Sequence, residues 1–242
     1  MKPNTRSITG ALMMLAIIPI FAGLLACMPV PIGDPERSRI DPDISGVWLL
    51  ESEEDFDALY LYQPYDKRTW LVVGAGISEG SGYEGEPFDI DTSEDAIRVL
   101  ETQPIGTNGI TSPGTVAYKV WLKKLGGVTF MTWEPVGGFN EDGTHTPEMW
   151  MVFRVEKVDK NRVDLFMLGS EHEAFDDLVK PKDYEGDNYP RDMRRKWEKQ
   201  LKKVAKNFDD EDLYAPPMTL RRLPDDLTGK ASELFQEVID FN

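Results

Sequence analysis

The chain has few of the side chains on which most catalytic and metal sites depend. Its 242 residues include one cysteine, Cys27, and two histidines, His145 and His172. A single cysteine excludes an internal disulfide and the paired thiolates of a zinc site. Both histidines lie in polar stretches, which we expect to be a turn for His145 and an exposed helical turn for His172, so neither suits a catalytic triad. The sequence therefore predicts a protein that is not an enzyme and holds no metal or cofactor.

Basic residues are scarce relative to acidic ones. The chain has 27 lysines and arginines against 43 aspartates and glutamates, for a formal net charge of -16. A field of this sign repels nucleic acid and anionic lipid headgroups. Nucleic acid is therefore not an expected partner.

The N-terminus has the pattern of an export signal. Lys2 and Arg6 precede an apolar run over residues 11–26, which is shorter than the ~20 residues that a helix needs to cross a bilayer. This pattern predicts a signal peptide over residues 1–26. Its removal takes away two cations and no acid, which changes the formal net charge from -16 to -18.

The end of this signal resembles the lipobox of bacterial lipoproteins in its residues Leu24, Leu25, Ala26 and Cys27. The resemblance implies cleavage before Cys27, attachment of a diacylglycerol to its thiol and acylation of the new amine, for example with palmitate. Several acyl chains anchor a protein durably in a membrane. Met28 stands where an aspartate would favour the inner membrane, so the resemblance implies an outer-membrane anchor with the domain in the periplasm or at the cell surface.

A proline-rich stretch follows the cysteine. Four prolines occur between Cys27 and Asp43, a composition typical of extended, semi-rigid linkers. We therefore predict that residues 27–43 are the lipidated cysteine and a tether that holds the domain off the membrane. The folded part is expected to begin near Ile44.

Short runs of aromatic and β-branched residues, separated by turn residues, fill the next part of the chain. Eight such runs without intervening helices predict an antiparallel meander in a domain over residues 44–168. The predicted strands are 44–51, 56–63, 68–74, 97–103, 115–124, 128–134, 148–158 and 162–168.

Alternation within these strands indicates how the sheet is closed. Val116, Tyr118, Val120 and Leu122 form one apolar face, whereas two lysines and Trp121 lie on the other. A β-barrel buries such a face along every strand and has no free edges. A fold that is mainly β, with a lipocalin-like barrel of about eight strands, is therefore favoured over a two-sheet sandwich.

Residues 169–242 are predicted to be a helical extension that packs on the barrel. One helix begins near Pro190, and a second apolar helical face lies near the C-terminus at Leu234, Phe235, Val238 and Ile239. Residues 191–206 carry eight basic and two acidic side chains, so this helix could also lie on an anionic membrane. Packing on the barrel is favoured. The apolar stripe of this helix, which would face the barrel, consists of Met193, Trp197, Leu201, Val204, Ala205 and Phe208.

The first strand contains the residues of a family resemblance. Gly46 and Trp48, in the stretch ISGVW, resemble the Gly-x-Trp of lipocalins and their calycin relatives. That resemblance implies that Trp48 packs across one end of the barrel under an arginine from a late strand, either Arg154 or Arg221. Over residues 44–168 the chain is also similar to uncharacterised bacterial lipoproteins with a lipocalin-like barrel, a resemblance that implies a fold and an envelope location but no activity. The long acidic, glycine-rich stretch 74–95 departs from their simplest pattern.

This sequence favours two functions ahead of a hydrolase, which would need His145 or His172 beside a carboxylate and a hydroxyl. The first is a membrane-anchored barrel that binds a small apolar ligand among aromatic side chains. The second is a non-enzymatic structural or accessory envelope protein that acts through contacts with another protein. The residues that we predict to contact a ligand are Trp48, Trp70, Tyr118, Phe130 and Phe153.

Overall fold

A computed structural model describes residues 27–51, 56–78, 115–136, 150–178 and 189–239. Its strands are β1 Cys27–Met28, β2 Gly46–Glu51, β3 Phe56–Pro64, β4 Trp70–Ser78, β5 Thr115–Leu125, β6 Val128–Pro135, β7 Trp150–Lys157, β8 Arg162–Leu168 and β9 Tyr214–Arg222. Its α-helices are α1 Tyr189–Val204 and α2 Asp225–Ile239.

Strands β2 to β9 form a closed antiparallel barrel. Each strand pairs with the next one in the chain, and β9 returns to pair with β2, where Trp48 lies opposite Arg222. The fold is therefore mainly β, with an eight-stranded meander barrel and two flanking helices, as the alternating apolar pattern predicts. Closure pairs every strand on both sides, which removes free sheet edges.

The barrel is completed by a strand that the sequence pattern did not predict. Seven of the eight predicted strands are present as β2 to β8, and the predicted strand at 97–103 lies outside the described residues. The eighth barrel strand is β9, which lies in the segment 169–242 that was predicted to be helical. Pro216 and Pro217 occupy this strand, and proline lowers the strand signal because it cannot donate to a sheet. The barrel domain therefore does not end at residue 168.

Apolar side chains pack inside and outside the barrel. The inside contains fully or nearly fully buried aromatic residues, among them Trp48, Trp70 and Phe153. On the outside, Phe235 of α2 packs against β2, β3 and β4 through Val47, Leu59 and Val73.

Helix α1 covers another part of the outer surface through its apolar stripe. Met193, Trp197, Leu201 and Ala205 are buried against β5, β6 and β7, so the predicted packing on the barrel is confirmed. Phe208 was placed in the same stripe, but it is 51% exposed. The helix ends at Val204, so helical spacing no longer determines which way Phe208 points.

The proline-rich segment after Cys27 lies against the barrel, in contrast to the extended tether that its composition predicts. Met28, Val30 and Ile32 are almost fully buried in the cluster under α1. The carbonyl oxygen of Ile32 accepts hydrogen bonds from Trp121 Nε1 at 2.9 Å and from Thr132 Oγ1 at 2.7 Å. Folded structure therefore begins well before Ile44.

Helix α1 holds the same segment from the other side. Glu198 accepts a hydrogen bond from the backbone N–H of Gly33 at 2.9 Å, and Arg194 pairs with Asp34 at 3.1 Å. The segment is therefore enclosed between β5, β6 and α1. Within the described ranges, neither helix is long and apolar enough to span a membrane.

Candidate functional site

The two ends of the barrel differ in how the strands are connected. At one end, short turns over residues 65–69, 126–127 and 158–161 join the strands. We call this the closed end. At the opposite end, strands are joined through residues 52–55, 79–114, 137–149 and 169–213. We call this the long-connection end.

Trp48 and Arg222 pack together at the closed end. The Arg222 guanidinium lies 4.3 Å from the centre of the Trp48 ring, and the Trp48 Nε1–H donates to the Ile44 carbonyl at 2.8 Å. Gly46 has a φ of +123°, and a Cβ at this position would lie 2.8 Å from Arg222 Nη1. A glycine is therefore required here both for its backbone conformation and for the close approach of the guanidinium.

The arginine over Trp48 is therefore Arg222, not Arg154 or Arg221. Arg221 precedes it in β9 and is exposed, because successive side chains of a strand point to opposite faces. Arg154 lies on the outer surface, where its guanidinium is 3.7 Å from the centre of the Phe166 ring and also stacks on Tyr214.

The five predicted ligand residues do not form one site. Trp48, Trp70 and Phe153 belong to the interior cluster, and Tyr118 packs against it half-buried. Trp70 donates to Ser45 Oγ at 3.1 Å, which places it near the closed end. Phe130 lies on the outer surface of the barrel, in the cluster under α1. Its strand partner Arg154 faces outward as well, since paired residues of neighbouring strands point to the same face.

An aromatic group surrounds Trp133 inside the barrel. Its ring centre lies 5.3 Å from that of Tyr60, 6.0 Å from that of Tyr62, 5.0 Å from that of Tyr118 and 5.2 Å from that of Phe153. We refer to these five residues as the aromatic group. Tyr60 and Tyr118 are half-buried, whereas Trp133 is 3% exposed. The predicted ligand residues include Tyr118 and Phe153 but not Trp133, Tyr60 and Tyr62. The alternation of Met131 and Trp133 in β6 is a sequence signal for an inward position of Trp133.

Trp133 offers a hydrogen-bond donor in this apolar setting. Its Nε1–H is buried and has no partner among the described residues, and such a donor is costly to leave unpaired. Burial, together with Tyr118, raises the pKa of Tyr60 well above its ordinary value, and burial raises that of Tyr62. Both tyrosines therefore remain neutral.

Three half-buried methionines, Met151, Met167 and Met218, pack beside the interior cluster. Methionine side chains adapt to irregular apolar shapes. Together with the neutral aromatic group they form an uncharged interior surface, in which the Trp133 Nε1–H is a buried donor without a partner among the described residues. This surface suits an apolar ligand with a neutral acceptor.

His172 is buried, in contrast to the exposed position that its polar surroundings predict. Its exposed fraction is 7%. Its Nδ1 accepts from the backbone N–H of Ala174 at 3.0 Å, so the proton lies on Nε2, which is 3.1 Å from Asp210 Oδ2. Nδ1 thus caps a short helical turn, and Nε2 pairs with the Asp210 carboxylate. His145 lies outside the described residues.

A surface cavity of about 520 Å³ lies outside the barrel near Arg154. Its lining includes Phe166, Phe208 and Tyr214 together with Asp209 and Glu211. The cavity is therefore part aromatic and part acidic. The Nε atom of the buried Arg154 has no hydrogen-bond partner in the described structure.

Comparison of the chain with protein-family models, with curated proteins and with solved structures finds no match.

Proposed function

We propose that this chain is an envelope lipoprotein, anchored to the bacterial outer membrane through Cys27, whose barrel binds a small apolar ligand without catalysis. The observation that carries the binding proposal is Trp133, which is 3% exposed, surrounded by four aromatic rings and left with an unpaired indole N–H. The lipid anchor rests on the signal-like N-terminus and the resemblance to a lipobox.

The chemistry of the lining defines the ligand class. Apolar side chains favour burial of hydrocarbon at ~25 cal/mol per Å², and the neutral tyrosines add no charge that would favour a charged ligand. A ligand that presents a carbonyl or hydroxyl oxygen to Trp133 Nε1 would pair the buried donor. The ligand is therefore apolar over most of its surface, with a neutral acceptor.

Replacing Trp133 with phenylalanine is expected to weaken ligand retention about tenfold, because the side chain stays aromatic while the buried donor is lost and the ligand acceptor is left unpaired. The full chain, expressed with residues 1–26 and extracted in a mild detergent, would be measured by native and then denaturing mass spectrometry. The wild type should carry a mass that disappears on denaturation. The denatured mass also reports any lipid attached to Cys27.

Trp197→Phe is the matched control. Trp197 is also 3% exposed and also has an unpaired Nε1. It belongs to α1, however, and packs on the outside of the barrel. This variant should retain the ligand as the wild type does. A wild-type chain without any releasable mass, or equal losses in the two variants, would contradict binding at Trp133.

The surface cavity favours a second candidate, an accessory protein that binds a partner. Phe208 is 51% exposed at its edge, and Asp209 and Glu211 are exposed beside it. An aromatic cavity with an acidic rim suits a partner segment that combines apolar and basic side chains.

For this candidate, Phe208→Glu is expected to abolish a complex in detergent-solubilised envelopes, because it adds charge where an apolar anchor would bind. The complex would be followed by native gel electrophoresis with detection of this chain. Val158→Glu, at a site that is 50% exposed in a turn at the closed end, should leave the complex unchanged. If the wild type migrates as a monomer, a partner-binding role through this cavity is wrong.

A further inference from the structure

The register of three strands places Cys27 close to the aromatic group. Met151 of β7 pairs with Cys27 on one side and with Trp133 of β6 on the other. Neighbouring strands lie about 4.8 Å apart, so the Cys27 and Trp133 backbones are roughly 10 Å apart. The start of the described chain thus lies at the long-connection end.

The chain after Cys27 has no slack that would let the barrel move away from an anchor. Met28 is fully buried and pairs with Trp150. Val30, Ile32 and Ser38 are also buried, and Ser38 Oγ donates to the Leu122 carbonyl at 2.9 Å. An acyl group on Cys27 would therefore be held within one residue of the barrel wall.

Because of this geometry, we infer that the long-connection end faces the bilayer and that the barrel takes its ligand from the membrane to which Cys27 is attached. The ligand class is an acyl-chain lipid whose ester carbonyl accepts from Trp133 Nε1. This inference rests on the proposed function, both for the anchor and for the binding site.

Met151 and Tyr118 flank Trp133 on its two neighbouring strands. Met151 of β7 pairs with Trp133, and Tyr118 of β5 lies opposite Pro135, two residues nearer the long-connection end. Both are half-buried and pack against the interior cluster, and Tyr118 contacts Trp133 directly. An acyl chain that reaches the indole from the long-connection end would pass Tyr118 and contact Met151 beside Trp133. The chemistry is shared with the acyl chains on Cys27 itself, so a test must separate a bilayer lipid from the protein's own anchor.

A lipid with a diazirine in its acyl chain tests the inference. The full lipidated chain would be reconstituted in vesicles of phosphatidylethanolamine and phosphatidylglycerol that contain a photoreactive phosphatidylethanolamine. After illumination, labelled peptides are mapped by mass spectrometry. We expect label on the peptides that contain Tyr118 and Met151, and little label on the turn at the closed end that contains Tyr65, which is 70% exposed.

A spacer variant provides the matched control. Insertion of ten Gly and Ser residues between Cys27 and Met28 keeps the lipidated cysteine and the buried Met28, but it adds a flexible connection of roughly 17 Å. Labelling of Tyr118 and Met151 is expected to fall several-fold. Unchanged labelling in this variant would show that the anchor does not position the barrel, and it would overturn the orientation.

The outcomes separate this inference from the proposed function. A releasable mass in native spectra together with labelling confined to the outer surface would leave ligand binding intact but reject the bilayer as its source. No releasable mass and no interior label would reject both. A wild-type chain that lacks lipid on Cys27 would also overturn the inference. A barrel occupied only by its own anchor would give neither interior label nor a releasable mass, and it is therefore among the outcomes that reject both.

Discussion

Replacement of Trp48 with alanine is expected to lower the free energy of unfolding by about 3–5 kcal/mol. Trp48 is 1% exposed inside the barrel, so its removal leaves a cavity. It also removes the aromatic face that lies 4.3 Å from the Arg222 guanidinium. The free energy would be measured by urea unfolding of the wild type and the variant, followed by far-ultraviolet circular dichroism.

Tyr65→Ala is the control for this measurement. Tyr65 is 70% exposed in a turn at the same end of the barrel, so its loss should change the free energy of unfolding by no more than about 0.5 kcal/mol. If Trp48→Ala were no more destabilising than Tyr65→Ala, the closed end would not depend on the packing of Trp48.

The association of Trp48 with Arg222 also shows what a strand register adds to a sequence pattern. The Gly-x-Trp resemblance implies an arginine from a late strand, and β9 supplies it. Arg221 and Arg222 are adjacent, however, and only the pairing of Trp48 with Arg222 decides which of them faces inward. A shift of one residue exchanges the two faces of a strand, so composition alone could not make this choice.

Runs of aromatic and β-branched residues between turn residues were sufficient to predict most of the barrel, namely strands β2 to β8. Alternation within β5 indicated in addition that the sheet is closed. Strand β9 escaped prediction because Pro216 and Pro217 interrupt that pattern. Both prolines are exposed, and Pro217 lies opposite Phe166 of β8.

The candidate site was only partly predictable. Tyr118 and Phe153 were identified as inward aromatic residues, but Phe130 was assigned to the same side although it faces α1. An apolar residue that faces a flanking helix has the same chemistry as one that faces the barrel interior. Strands covered on both sides by apolar groups therefore lose the contrast by which the faces are told apart.

The prediction of a tether over residues 27–43 was wrong for a similar physical reason. Proline-rich composition describes a chain that forms no regular hydrogen-bonded structure by itself, but it does not exclude burial by a neighbouring surface. Here the short turns at Pro35–Arg37 and Pro42–Ile44 are capped by Asp34 and Asp41. The apolar residues between the prolines pack against the barrel.

Removal of this segment is therefore expected to cost a large part of the stability of the fold. A chain of residues 44–242 lacks Met28, Val30 and Ile32, each of which contributes about 1.5–3 kcal/mol when fully buried. It also leaves Trp121 Nε1 and Thr132 Oγ1 without the Ile32 carbonyl. The combined loss approaches the ~5–15 kcal/mol by which domains are stable, so this chain should be recovered unfolded or aggregated.

A chain of residues 28–242 is the matched comparison, because it lacks Cys27 and any lipid but retains the whole buried segment. Exported to the periplasm without an anchor, it should be soluble and unfold cooperatively, whereas the chain of residues 44–242 should show neither a cooperative thermal transition nor a near-ultraviolet circular dichroism signal. If the two chains melted within a few degrees of each other, residues 28–43 would act as a tether after all. The orientation inferred for the barrel would then lose its physical basis, since a flexible segment could not hold the long-connection end against a membrane.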